Sequence, residues 1–185
     1  MKLVCCLLAV MTVITGCSSE NKPISEALQF RETLLSSNGC GFSAEITADY
    51  GDSVTRFSMA CQSDASGKTL FEITQPQSIA GIKGIISDQG GSIEFEDKAL
   101  YFPLLTDELL TPASAPWILL RTLRSGYITS ACMEENLLHV TVNDDYEDDA
   151  LMLDIWLEGE CPVRADILHD GKRILSVQVE NFVLL

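Results

Sequence analysis

The sequence predicts a mainly β protein with helices (α+β), built on one curved antiparallel sheet, and three observations lead there. After Gly39, apolar residues recur at every second position in short segments separated by turn residues. Nine or ten such segments follow one another through short links, which favours a sequential meander. Only residues 26–37 and 114–125 carry helical spacing instead. A sheet of that many strands curls strongly and turns towards a barrel to hide its edges.

The first residues, MKLVCCLLAVMTVITGCSS, read as a secretory signal: Lys2 gives a positive start, and Leu3 to Val13 form an apolar run. That run is too short to span a bilayer as a permanent helix of about 20 residues. Its ITGC ending resembles the bacterial lipobox, which implies cleavage before Cys17 and lipid attachment to Cys17 itself. The alternative is an ordinary cleaved signal with an incidental cysteine. The expected plan is a signal peptide at 1–16, a lipidated tether at 17–24 and one domain at 25–185. Location follows from this: outside the cytoplasm, in the cell envelope, with the membrane as partner through the lipid anchor.

Twenty-seven acidic against 12 basic residues leave a formal charge of −15. Lys and Arg cluster nowhere along the chain, so a basic patch for nucleic acid or anionic lipid is not expected. A solvated acidic surface keeps an exported monomer soluble and identifies no cationic partner.

Taken in order, Ser25 caps a helix over 26–37 whose apolar stripe is Leu28 and Leu35 with Phe30 and Leu34, stopped by Asn38 and Gly39. Strands over 40–49 and 53–61 follow, with Tyr50 and Gly51 as a two-residue loop. That register sets Glu45 opposite Arg56 and Cys40 opposite Cys61. In the second half, strands over 137–142 and 151–157 flank the acidic NDDYEDDA, and extending their register sets Cys132 opposite Cys161. In an exported chain, Cys40 with Cys61 and Cys132 with Cys161 are therefore expected as disulfides stapling the open ends of two hairpins. Four free thiols in a reducing setting are the alternative. No C-x-x-C and no nearby His offer zinc geometry, and no metal is expected.

Further strands are read at 68–76, 81–87, 92–97, 99–104, 163–168 and 172–185. Residues 103–126 interrupt them with Pro103, Pro112 and Pro116. There Ser114 serves as N-cap, Pro116 falls in the first turn, and Trp117, Leu120 and Leu123 lie at helical spacing. Phe71, Ile73, Leu153, Ile155 and Val177 point to one side of their strands, so sheet and central helix bury a common face. Alternation does not reveal whether that place is filled or hollow.

The lipobox, the first helix, the segment TLFEITQPQSIAGIKGIISDQGGSIEF with its Gln75-Pro76 and Gly84, the following YFPL, and a Pro-introduced apolar helix together resemble the LolA/LolB-like superfamily of bacterial envelope proteins. The resemblance implies an incomplete barrel, covered by the N-terminal and central helices, around an apolar cavity that takes acyl chains. No residue here equates with a named functional position of the family's carriers. Lipidation resembles its lipoprotein members rather than its soluble carrier.

Catalytic chemistry has little footing. His139 and His169 face solvent without an assignable nucleophile, and there is no G-x-S-x-G, H-E-x-x-H or phosphate loop. The acidic group at 144–149 lacks the ordered spacing of a calcium loop and reads as a solvated hairpin tip. The expectation is a non-enzymatic protein without cofactor. It binds a lipid or acyl chain among Phe71, Ile73, Trp117, Leu120, Leu123, Leu153, Ile155 and Val177. The alternative is an envelope interaction or stress-sensing module with a filled core.

Overall fold

The computed structural model describes residues 22–95, 98–103, 105–106, 109–146 and 150–185. The signal segment and Cys17 lie outside the described residues. Helix α1 (Lys22–Ser36) leads into β1 (Gly39–Asp49), β2 (Val54–Asp64), β3 (Thr69–Gln75), β4 (Lys83–Ser87), β5 (Gly90–Phe95) and β6 (Lys98–Phe102). Two short strands, β7 (Leu105–Thr106) and β8 (Leu109–Leu110), pair with each other ahead of a 3-10 turn at Pro112–Ser114 and helix α2 (Ala115–Ser125). The chain ends in β9 (Tyr127–Glu134), β10 (Leu137–Asn143), β11 (Met152–Glu158), β12 (Cys161–His169) and β13 (Lys172–Leu184).

Eleven of these strands make one unclosed antiparallel sheet in the order β6-β5-β4-β3-β2-β1-β13-β12-β11-β10-β9. It is not one uninterrupted meander: two meanders meet where β1 pairs with β13, Cys40 opposite Leu184 and Ala48 opposite Leu175. Asn38 N donates to Leu185 O and Leu185 N to Gly39 O, each at 2.9 Å, which ties the C-terminus to the start of β1. The curved sheet with its two helices is the expected incomplete barrel.

Helix α1 starts at Lys22, inside the stretch expected as tether. Its buried residues are Ala27, Phe30 and Leu34, at the i, i+3, i+7 spacing of one helical face. Leu28 and Leu35, expected in that stripe, are more than half exposed. Packing α1 against β9, β10 and α2 selects the Phe30 face.

Helix α2 is buried on nearly every side, through Ala115, Pro116, Trp117, Ile118, Leu119, Leu120, Thr122 and Leu123. Pro116 sits in the first turn, where its missing amide leaves no bond unmade. Ser114 makes no side-chain cap; its Oγ instead donates to Thr111 O at 2.6 Å and closes the preceding turn. At about 1.5–3 kcal/mol for each large apolar side chain removed from water, this insertion is a main source of stability.

Both hairpins differ from expectation by two residues. Asp49 pairs with Val54, so the loop holds four residues, Tyr50 to Ser53, with Asp49 Oδ1 accepting from Gly51 N at 2.9 Å. Cys40 therefore faces Ser63, and Cys61 faces Phe42. The two buried thiols are diagonal neighbours and remain free. Glu45 faces Ser58 and reaches Arg56 diagonally, at 3.6 Å. The expected Cys132–Cys161 pairing is overturned more completely. The chain turns at Glu135, which has φ +56°, and Asn136, so Cys132 lies on β9 opposite His139, while Cys161 lies on β12 opposite Glu158. Two strands separate these exposed, free thiols.

Candidate concave binding face

Opposite partners in an antiparallel sheet share a face, so the register traces which residues look inward. One row runs Phe71, Gly84, Ile93, Leu100 across β3 to β6, and the next runs Thr69, Ile86, Gly91, Phe102. Gly84 and Gly91 are required here for space. A Cβ on Gly84 would fall on the Phe71 ring and on Ser92 O, and one on Gly91 on the Phe102 ring, so both rings reach over glycines.

All eight residues expected around a ligand are brought together. Phe71, Ile73, Trp117, Leu120, Leu123, Leu153, Ile155 and Val177 belong to one buried cluster. They are packed, however. Each of the eight is 8% exposed or less, and two of them, Phe71 and Trp117, also border pockets at the surface. Phe71 borders a depression of about 490 Å³ with Leu70, Lys83, Gly84 and Ile85. Trp117 borders a pocket of about 500 Å³ where α2 meets the β2–β3 and β4–β5 turns.

Cover over the concave face fades towards β6. Phe71 is 3% exposed, Ile93 and Phe102 are half-buried against the core, and inward-facing Leu100 is 67% exposed. An apolar surface thus continues from beneath α2 to an open rim. Position alone could have predicted Ile93 and Leu100, but their face depends on a register that the sequence leaves open.

The outer face of β9 to β12 carries the polar groups. His139 lies opposite the Leu138 and Val140 side of β10, as expected, yet it is engaged: Nε2 is 3.0 Å from Asp154 Oδ1 and Nδ1 is 3.5 Å from Glu134 Oε2. Its ring stacks on Trp156 with centroids 4.6 Å apart, and Arg164 covers the other side of that indole at 4.4 Å. Cys132 Sγ stands 3.9 Å from His139 Nδ1, a neighbour that only the fold supplies. His169 Nδ1 is 3.9 Å from Asp170. In the acidic hairpin, Asp144 Oδ2 accepts from Arg121 at 2.9 Å, while residues 147–149 lie outside the described residues.

Fold and site together define a class: a half-barrel whose apolar concave face is held under helices and open at one rim. No family model matches the chain, and no curated protein does. Among solved structures, it is similar to an uncharacterized conserved protein from Thermus thermophilus, with 12% identity over 88% of this chain and 87% of that one, at a TM-score of 0.48. It is also similar to the LolA superfamily protein NE2245 from Nitrosomonas europaea, with 8% identity over 88% and 93%, at 0.47. A third is a putative outer membrane lipoprotein-sorting protein domain from Vibrio parahaemolyticus, with 9% identity over 86% and 91%, at 0.45. These likenesses concern the fold.

Proposed function

We propose that this chain is an envelope lipoprotein that takes an apolar ligand, a lipid or an acyl chain, on the concave face of its sheet. Residues 1–16 serve as its signal peptide, Cys17 carries the lipid anchor, and the folded domain follows a short tether. The observation that carries this reading is the gradient from buried Phe71 to exposed Leu100 along one inward row. An acyl chain laid on Ile93 and Leu100 and extended beneath α2 removes apolar area from water at about 25 cal/mol per Å², with no covalent chemistry. Because the eight core residues are packed, extension requires α2 to yield. A second reading, an interaction or stress-sensing module, draws on that same packing and expects no uptake.

The test is titration of the chain from Ser18 onward with a dansyl-labelled fatty acid. Saturable, blue-shifted emission is expected, weakened about tenfold by Leu100→Asp, since one leucine's burial is worth roughly 1.5–3 kcal/mol. Absence of saturable uptake contradicts the reading.

A further inference from the structure

The pocket beside Trp117 is chemically unlike the rest of this acidic molecule. Lys68 from the β2–β3 turn and Arg121 and Arg124 from α2 converge on it, against one carboxylate in its wall, Asp88. No two of these three cations are adjacent in sequence. The expectation that basic residues cluster nowhere is thus corrected by the fold.

Arg124 and Lys68, unlike Arg121, keep charge to spare. Arg124 Nη1 donates to Ala65 O at 2.9 Å, but its Nε and Nη2 are closed from solvent without an acceptor. Those two donors are out of a ligand's reach, but the partly desolvated guanidinium charge is one that an anion in the pocket offsets. Among the described residues, neither Arg124 nor Lys68 has a carboxylate within ion-pairing distance. Arg121 is braced by Asp144 and lies 5.3 Å from the Trp117 ring centre, which fixes its direction. The pocket meets the C-terminal end of α2, where bare carbonyls would repel an anion. Three carbonyls of the last turn are occupied: Arg31 Nε donates to Leu123 O at 2.7 Å, Gly126 N to Thr122 O at 2.8 Å, and Ser125 Oγ to Arg121 O at 2.9 Å. Ser87 and Gln89 add neutral polar groups opposite the arginines.

We propose that Lys68, Arg121 and Arg124 form a binding site for a phosphate-type oxyanion between α2 and the two turns. Guanidinium groups suit oxyanions by geometry as well as charge. The net charge of −15 opposes the approach of an anion, but beyond about 8 Å that repulsion is screened at physiological salt, whereas the three cations act at contact. The oxyanion is either a free phosphate or the phosphate of a lipid head group. The site stands independently of whether the concave face takes an acyl chain.

Trp117 supplies the readout. The full chain carrying Trp156→Phe is titrated with inorganic phosphate and, separately, with dihexanoyl phosphatidylglycerol, with sodium chloride at matched ionic strength as control. A saturable Trp117 change with phosphate supports a free-anion site, and one with the lipid alone supports a head-group site. Arg124→Gln should weaken binding about tenfold, as expected for loss of one of the three cations, while Arg56→Gln on the outer sheet leaves it unchanged. Lys68→Gln, on an exposed turn, should weaken binding in the same way and serves as the test if the Arg124 variant does not fold. The proposal is overturned if neither probe saturates, if chloride reproduces the signal, or if the folded Arg124→Gln and Lys68→Gln variants bind as the parent does.

Discussion

Asp166 on β12 is a carboxylate only 5% exposed, held by Arg164 Nη2 at 2.6 Å, Arg173 Nη1 at 3.4 Å and Ser176 Oγ at 2.5 Å. Burial alone pushes its pKa up. The Ser176 hydrogen bond and the two arginines together outweigh burial and hold it below the usual carboxylate range. Asp154 lies directly opposite on β11, but it is met by its own donors, His139 and Thr141. A lowered folded pKa stabilises the protein above the unfolded value, near 3.9, and that contribution disappears as pH falls through the folded value. Asp166→Asn should therefore cost about 1–3 kcal/mol at neutral pH, and the gap to the parent should shrink in acid. Urea midpoints for both proteins, at neutral pH and near about pH 3, measure this. A gap that does not change with pH contradicts the assignment.

Hairpins are visible in the sequence as elements, but their registers are not. A two-residue loop at Tyr50 and Gly51 is chemically reasonable, yet Asp49 turns the chain through its own side chain and lengthens the loop. The shift is even, so every residue keeps its face, and the core expected for β1 and β2 survives while the facing partners change. The turn at Glu135 and Asn136 carries no Gly or Pro, which is why periodicity alone merges β9 with its neighbour. Thiol chemistry follows from these positions. Burial pushes the Cys40 thiol up to about 11, with Arg124 opposing in part, and pushes Cys61 higher still. Exposed Cys132 and Cys161 should react with iodoacetamide in the native protein, and Cys40 and Cys61 only after unfolding, as peptide mapping by mass spectrometry will read. Native protection of Cys132 and Cys161 as one linked pair would contradict the strand order.

At the scale of the whole molecule, alternation and the Pro-introduced helix are enough to anticipate a curved sheet covered by helices. Long-range pairing is not legible, because nothing local in β1 states that its second neighbour is β13. The same holds for the basic pocket, whose residues meet only after the sheet has curled around α2. Conversely, all eight apolar residues chosen from periodicity do share one place, since period and burial are linked by geometry. Periodicity carries no information about volume, so it does not distinguish the packed core beneath α2 from a cavity. The proposed function requires this packed face to open to an apolar ligand. Native mass spectrometry with organic extraction, on the chain from Ser18 onward purified without detergent, tests it most directly. The expected result is a lipid bound in stoichiometric amount, or taken up when fatty acid or phospholipid is supplied. A clean unliganded mass under both conditions would contradict it and leave the interaction module as the reading.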